Sequence, residues 1–210
     1  MLKGFQQLSL KIVGLVNSPG KTQRIVRDAT VSRMILKDFF EIIRIMDAKR
    51  YFAGAMGEIS LRASGGTMLI SSRGIPMARL TEESLLPINM QGGMDLADMD
   101  LPDYTEWHHT VYIKSGARYA VLCQPLYACI VANSGQLPAK KVLVEAEERL
   151  GNMHLGNPDE LLPDGKLGNK GTWLVDGVGV FAWGEDLNEI LARLDLLERW
   201  CEIGIKSSGK

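Results

Sequence analysis

Alternation of apolar and polar residues predicts a strand–turn–strand unit in the first half of the chain. Residues 58–62 alternate, residues 64–66 supply a Gly-Gly turn, and residues 67–71 return as a second run. Two such runs around a glycine turn are typical of a β-hairpin. Residues 85–90 indicate a third strand, which Pro87 restricts to a sheet edge because proline cannot donate to a strand ladder.

Helical spacing of apolar residues predicts two long amphipathic helices. The first runs from residue 31 to about residue 50, with Asp28, Thr30 or Ser32 as its candidate N-cap. The second begins near residue 187 and carries one apolar stripe to Trp200. Shorter runs predict two further helices and two further strands, namely helices at 105–114 and 126–133 and strands at 119–123 and 178–183.

The same patterns predict a single domain with a short N-terminal appendage. Residues 8–16 alternate as a strand, and the turn-forming residues 17–20 follow before the helical pattern begins. Residues 91–102 form a predicted polar loop, but no internal repeat or linker divides the rest of the chain. We therefore predict an appendage at residues 1–29 and one domain at residues 30–210.

Composition excludes several classes of partner. The chain has 210 residues, of which 46% are apolar, and a formal net charge of −1. A chain so nearly neutral has no overall field to attract nucleic acid or an anionic membrane, so neither is a predicted partner. No unbroken apolar stretch suggests a signal peptide or a membrane span. The odd number of cysteines, three in apolar surroundings, is typical of reduced thiols, and we expect a cytoplasmic protein.

Two glycine patterns do not fit nucleotide binding. Residues 20–22 read Gly-Lys-Thr, but a phosphate loop needs a further glycine at position 15, which is Leu15. Residues 177–182 match a loose dinucleotide pattern, which requires a helix to start there. The predicted strand continues through Trp183 instead, so no nucleotide cofactor is expected.

Three segments, in order, resemble the class II aldolase/adducin family. The first segment is GEISLR followed by LISSRGIP, which is similar to that family's GNIS-R hairpin and LITPSG-P loop. The second is TEW and then AVLCQPLYA, which is similar to the family's SEW and AVVHTHPPYA. The third is LVDGVGVFAWGEDL, which is similar to the family's LLRNHGVVVWGEDL. The five parts of these three segments begin at residues 57, 69, 105, 120 and 174. The resemblance covers roughly residues 30–205.

The resemblance implies a fold, an assembly and a chemistry. The fold is a three-layer α/β/α domain, of class α/β, with a mostly antiparallel central sheet. The assembly is a homo-oligomer, with a tetramer as the favoured form. The chemistry in family enzymes uses a divalent metal, commonly zinc, held by an H-x-H strand and a later histidine. Two histidines at i and i+2 share one face of a strand, which is why that spacing can chelate a metal.

This chain departs from the family at every metal ligand. Depending on the alignment register, the strand histidines fall on Leu122 and Gln124 or on Cys123 and Pro125. The third ligand falls on Val178. Asp176, two residues earlier, is the nearest residue there with a donor side chain. No metal ligand set, and no resident cofactor, is therefore expected.

The histidines lie elsewhere in the chain. His108 and His109 are adjacent on the predicted helix that follows Glu106, where we expect a solvated or interface helix face. His154 is expected in an exposed loop.

The resemblance also implies candidate site residues. Glu106 matches the family's catalytic glutamate, although a first-turn helix carboxylate is an equal interpretation. The ligand-binding candidates are Glu58, Arg73, Gly74 and Thr105. Glu58 stands where the family has an asparagine, and a carboxylate would repel a phosphate. We predict that Glu58 pairs with Arg73, which then fills the phosphate position.

Two functions remain open from the sequence. The favoured one is a family member that has lost metal-dependent aldolase chemistry and acts as a binding or assembly module, with a small molecule as a further candidate partner. The alternative is a lyase or isomerase acting on a small sugar-like or phosphosugar-like substrate. Its non-standard site would use Cys123, Asp176, Glu106 and His108, which could bind zinc together.

Overall fold

The computed structural model describes residues 7–18, 21–91, 100–139, 142–143, 146–151, 153–159 and 167–208. The described strands are β1 (Gln7–Ser18), β2 (Lys21–Ser32), β3 (Glu58–Arg62), β4 (Thr67–Ser71), β5 (Leu85–Asn89), β6 (Tyr119–Cys123), β7 (Met153–Gly156), β8 (Gly171–Val175) and β9 (Gly179–Gly184). The described α-helices are α1 (Arg33–Ala48), α2 (Thr105–Lys114), α3 (Leu126–Ser134), α4 (Ala146–Leu150) and α5 (Leu187–Ser208).

The central sheet has seven strands in the order β5-β4-β3-β6-β9-β8-β7. Every neighbouring pair is antiparallel except β7 and β8, which are parallel. The mostly antiparallel sheet of an α/β fold is therefore confirmed.

The two faces of this sheet carry separate apolar clusters, because successive strand residues point to opposite sides. On β6, Val121 and Cys123 belong to the cluster that packs against α1, α3, α4 and α5. Ala120 and Leu122 belong to the cluster that packs against α2. We call these the α1 face and the α2 face. The result is the predicted three-layer arrangement, with the sheet between two helical layers.

The predicted hairpin and edge strand are confirmed. β3 and β4 pair with Ser60 opposite Ile70, and Gly65 and Gly66 turn between them with positive φ angles. β5 is the outermost strand of the sheet, as Pro87 requires.

The first helix begins after the last of its three candidate N-caps. Val31 lies in β2, and α1 starts at Arg33. Ser32 is the N-cap, and its hydroxyl accepts a hydrogen bond from the Ile35 amide at 3.3 Å. The polar N-cap therefore sets the start of the helix, although the helical spacing of apolar residues extends one residue further towards the N-terminus, to Val31.

The N-terminal segment forms a two-stranded sheet of its own. β1 confirms the predicted strand, and it pairs along its full length with β2, which the sequence pattern did not predict. Part of the predicted turn at 17–20 lies outside the described residues, as does most of the predicted loop at 91–102.

Helix α3 receives its N-terminal cap from a distant helix. Its N-cap residue, Pro125, makes no side-chain cap. The carboxylate of Glu198 on α5 instead accepts hydrogen bonds from the amides of Tyr127 at 3.1 Å and Ala128 at 2.9 Å. A carboxylate at a helix N-terminus is favourable because the exposed amides there are positively polarised. This cap fixes the segment that follows β6.

Among the helices of the described residues, none is both long enough and apolar enough to cross a membrane.

Candidate functional site

One end of the central sheet collects most of the residues that the sequence singled out. β3 and β9 begin there, and β4, β6 and β8 end there, because these neighbours are antiparallel. Glu58 lies opposite Leu122 in the β3–β6 pair, and Cys123 lies opposite Val180 in the β6–β9 pair. We call this the site end of the sheet.

Glu58 is buried at the site end, with 5% of its surface exposed. Its Oε1 accepts a hydrogen bond from the Tyr104 amide at 3.2 Å, which holds the start of α2 to the sheet. Its Oε2 faces His108 Nε2 at 3.5 Å. Burial and the nearby Glu58 raise the pKa of the Tyr104 phenol. Glu58 therefore joins a strand to a helix rather than lying in solvent.

The predicted pair between Glu58 and Arg73 is wrong. Arg73 Nη2 forms an ion pair with Asp103 at 2.6 Å, and its Nε donates to the Leu101 carbonyl at 2.8 Å. Glu58 has the Tyr104 amide and His108 as its neighbours instead. The physical reason is that the loop before α2 supplies acceptors to an exposed Arg73, whereas Glu58 points under the helix.

The other candidate residues lie around the start of α2 and the loop after β4. Thr105 is buried, and its hydroxyl donates to the Pro102 carbonyl at 2.7 Å. Gly74 is exposed and has a φ of 74°, with open space where a Cβ would lie. Glu106 is exposed in the first turn of α2. Residues two apart on a helix differ by about 200°, so Glu106 points away from the side that carries His108.

His108 is fully buried, so the prediction of a solvated or interface helix face is wrong for this residue. Its Nδ1 lies 2.7 Å from Ser60 Oγ, and Ser60 Oγ lies 2.8 Å from the Tyr112 hydroxyl. Phe181 packs edge-on against the imidazole, with ring centroids 5.0 Å apart. Its neighbour His109 is half-buried, with Nε2 3.3 Å from the Met90 carbonyl. His154 is exposed, as predicted, but it lies in strand β7 rather than in a loop.

The polar layer under α2 is not among the predictions made from the sequence, although a signal for it exists there. Glu58, Ser60 and Arg62 occupy alternate positions of β3 and so share one face of the strand. His108 and Tyr112 are four residues apart on α2 and so share one face of that helix. Polar side chains in register on a strand and on a helix, both with apolar neighbours, indicate a buried hydrogen-bonded layer.

Cys123 points to the opposite side of the sheet from His108. It is buried in the cluster of the α1 face, and its Sγ lies 3.7 Å from the Val180 carbonyl. Burial raises the pKa of this thiol well above its ordinary value. Burial also raises the pKa of Cys129 to about 11 and that of Cys201 to about 12, so all three remain protonated at neutral pH. All three are free thiols, as predicted.

The four residues of the alternative site therefore do not converge. Cys123 and His108 lie on opposite faces of the sheet, Asp176 is exposed in the turn between β8 and β9, and Glu106 faces solvent. In the part of the chain that the structure describes, no three His, Cys, Asp or Glu side chains lie close enough together to hold a metal ion.

Leu122, Gln124 and Val178 lie at the site end. Leu122 is buried in the α2-face cluster, and Val178 packs against that cluster. The Gln124 side chain bridges the 53–56 loop, since its Oε1 accepts from the Ala53 amide at 3.2 Å and its Nε2 contacts the Met56 carbonyl at 3.5 Å. None of the three offers an anionic or imidazole donor.

An open cleft of about 460 Å³ lies at the other end of the sheet. Arg62, Arg118 and Glu185 supply its charged lining, and Ser32 and Ile35 of the α1 start supply part of its wall. None of the candidate ligand-binding residues lines this cleft.

Comparison with models of protein families identifies the class of protein to which this chain belongs. The family model for the Class II Aldolase and Adducin N-terminal domain matches residues 37–205. Comparison with curated protein sequences gives no significant match.

Solved structures of the same fold cover most of this chain. An L-fuculose-1-phosphate aldolase from Thermus thermophilus has a TM-score of 0.65 and 22% identity, covering 82% of this chain and 93% of its own. A sugar-phosphate aldolase from Thermotoga maritima has a TM-score of 0.59 and 17% identity, covering 85% and 97%. An L-fuculose 1-phosphate aldolase from Glaciozyma antarctica PI12 has a TM-score of 0.65 and 14% identity, covering 83% and 74%.

The chain belongs to the class II aldolase and adducin family. At these identities the solved structures establish the shared fold, and the chemistry must be argued from the residues of this chain.

Proposed function

We propose that this chain is a class II aldolase-like protein without metal-dependent aldolase chemistry, and that it acts as a binding or assembly module. The supporting observation is the set of residues at the site end. The family resemblance assigns metal ligands to two alternating positions around the end of β6 and one before β9. In one alignment register these positions are Leu122, Gln124 and Val178, of which Leu122 and Val178 lie in or against the α2-face cluster.

The donor chemistry of these three residues does not fit zinc. A catalytic zinc needs three protein ligands from nitrogen, sulfur or carboxylate donors. Leu122 and Val178 have none, and Gln124 is a neutral amide already bonded to the 53–56 loop. In the other register, Cys123 would have to lose a proton although burial raises its pKa. No reaction step through a metal is therefore part of this proposal.

We expect no stoichiometric zinc in protein purified without chelator. We also expect no cleavage of L-fuculose 1-phosphate when zinc, manganese or cobalt is added, because the positions that would hold the ion do not supply three suitable ligands. Elemental analysis and a coupled aldehyde assay provide the measurements. The Thermus thermophilus aldolase, expressed and purified in parallel, is the matched control. A tightly held metal at one equivalent per chain would overturn the proposal and favour the lyase or isomerase alternative.

The assembly proposed is a homo-oligomer, most simply a tetramer, located in the cytoplasm. Three large apolar side chains are exposed near the site end: Leu126 at 63%, Ile130 at 44% and Met56 at 60%. Leu126 and Ile130 are four residues apart and share one face of α3. Gln124 contacts the Met56 carbonyl, which brings Met56 close to the start of that helix. Large apolar residues grouped at a surface favour contact with another protein chain.

Light scattering of the wild type at micromolar concentration should give a mass near four times 23.2 kDa. The double variant Leu126→Lys/Ile130→Lys should lower that mass, because two buried charges at a subunit contact are unfavourable. Met34→Lys, on the equally exposed Met34 of α1, is the control and should leave the mass unchanged. A wild type that scatters only as a monomer would contradict the proposed assembly.

A further inference from the structure

A continuous chain of buried polar groups crosses the layer between β3 and α2. It begins at Glu58, whose Oε2 lies 3.5 Å from His108 Nε2. It continues from His108 Nδ1 to Ser60 Oγ at 2.7 Å and from Ser60 Oγ to the Tyr112 hydroxyl at 2.8 Å. It ends at the Arg118 carbonyl, 3.4 Å from the Tyr112 hydroxyl. All four side chains are at least nine-tenths buried.

Few charged or titratable groups face this chain in the described structure. Glu58 of β3 faces His108 itself, the Tyr112 hydroxyl of α2 faces Ser60, and the Tyr104 phenol lies near Glu58. Arg62 of β3 lies over the Tyr112 ring, with its guanidinium carbon 5.1 Å from the ring centroid. β9 contributes the Phe181 ring, and β4 and β6 contribute apolar side chains of the same cluster.

With a neutral imidazole and an ionised Glu58, one set of hydrogen-bond directions is favoured. An ionised carboxylate can only accept, so it favours the tautomer of His108 whose proton lies on Nε2, facing Glu58. Nδ1 then accepts from Ser60, and Ser60 accepts from Tyr112. Burial raises the pKa of Tyr112, so its hydroxyl keeps the proton that it donates. In this state the Arg118 carbonyl receives no hydrogen from Tyr112.

One additional proton reverses half of the chain without leaving any donor unpaired. A protonated His108 donates through both nitrogens, to Glu58 and to Ser60. Ser60 then donates to Tyr112, and Tyr112 donates to the Arg118 carbonyl. Four donors now meet four acceptors, and the imidazolium forms an ion pair with Glu58. Neither Glu58 Oε2 nor His108 Nε2 has a hydrogen-bond partner in the described structure, so a bond formed between them has no competitor there.

We propose that this chain is a proton-responsive switch, in which proton uptake by His108 turns the hydroxyls of Ser60 and Tyr112 and moves a hydrogen bond onto the Arg118 carbonyl. The switch joins the two ends of the sheet. Glu58 lies at the site end, and the Arg118 side chain lines the cleft at the opposite end. The inference does not depend on the binding-module proposal, since it rests on side chains under α2 alone.

A pH titration followed by nuclear magnetic resonance tests the switch on the full chain labelled with ¹⁵N and ¹³C. As the pH is lowered across the range in which the chain stays folded, His108 should change from protonated at Nε2 alone to protonated at both nitrogens. The Tyr112 Cζ and the Arg118 carbonyl carbon should shift with the same midpoint. The ring signals of His109 and His154 are internal controls, and the two carbon signals should follow the signals of His108 rather than those of either control.

Two variants separate the switch from simple structural packing. Ser60→Ala should leave His108 able to titrate but abolish the responses of Tyr112 and Arg118, because the connecting hydroxyl is gone. Tyr112→Phe should abolish the Arg118 response alone, and it decides the question if Ser60→Ala does not fold. The switch is refuted if His108 keeps one protonation state throughout, if the wild-type Tyr112 and Arg118 signals do not follow it, or if these responses persist in the variants.

Discussion

Replacement of Gly179 by alanine should lower the free energy of unfolding by about 2–6 kcal/mol, from backbone strain and from overpacking together. Gly179 has a φ of 141°, which side chains of L-residues rarely adopt. A Cβ there would lie 2.4 Å from the Cys123 carbonyl oxygen. That oxygen belongs to the end of β6 and cannot move without disturbing the sheet. Urea denaturation followed by circular dichroism measures the loss.

Gly177→Ala is the matched control for this prediction. Gly177 also has a positive φ, of 68°, but a Cβ there meets nothing within 4 Å. It should therefore cost only the strain of the left-handed conformation, about 1–2 kcal/mol. Equal losses in the two variants would show that close packing of β9 on β6 is not what requires Gly179. Close packing of β9 on β6 thus accounts for Gly179. This agrees with the sequence analysis, which excluded a dinucleotide-binding turn at residues 177–182.

Phe181→Ala should lower the free energy of unfolding by about 3–5 kcal/mol, the usual cost of removing a buried phenyl ring. Phe181 is completely buried at the centre of the α2 face. Its ring contacts Trp107, His108 and Trp183, with centroid distances of 5.7, 5.0 and 6.0 Å. Its loss leaves a cavity beside a buried imidazole, and neighbouring indoles are too rigid to fill it. Urea denaturation followed by tryptophan fluorescence is the measurement.

Phe40→Ala provides the comparison for Phe181→Ala. Phe40 is only half-buried on α1, where it packs edge-on against Phe39 with ring centroids 5.4 Å apart. Solvent can fill the space that its ring leaves, so the loss should be clearly smaller than for Phe181. A loss as large as that of Phe181→Ala would mean that the aromatic cluster of the α2 face is not a main source of stability.

Short-range pattern was sufficient for several elements and for the family resemblance. The hairpin of β3 and β4, the edge strand β5 and the helix α5 follow from residues close together in sequence. Their period of two or 3.6 residues reports directly which side of an element is buried. The sequence left three candidate N-caps for α1, because each has a polar side chain that could cap the helix. Only the path of the chain selects Ser32.

The site was less predictable, because its contacts join residues distant in sequence. His108 could not be placed in the interior by the periodicity of α2 alone, since burying it requires Ser60 and Glu58 from a strand about 50 residues earlier. Arg73 likewise could have met Glu58, but the Asp103 carboxylate and the Leu101 carbonyl lie within its reach. Only the three-dimensional arrangement decides between acceptors of similar chemistry.

The sequence by itself determined the α/β class, the alternating strands, the principal helices and the absence of histidines at the family's ligand positions. These are properties of residue type and local spacing, and tertiary contacts did not change them. The tertiary structure alone decided that Cys123 and His108 lie on opposite faces of the sheet, and that Glu58, Ser60, His108 and Tyr112 form one buried chain. The physical reason is that strand pairing and helix docking fix which side chains meet, and the free energy of burying polar groups depends on those partners.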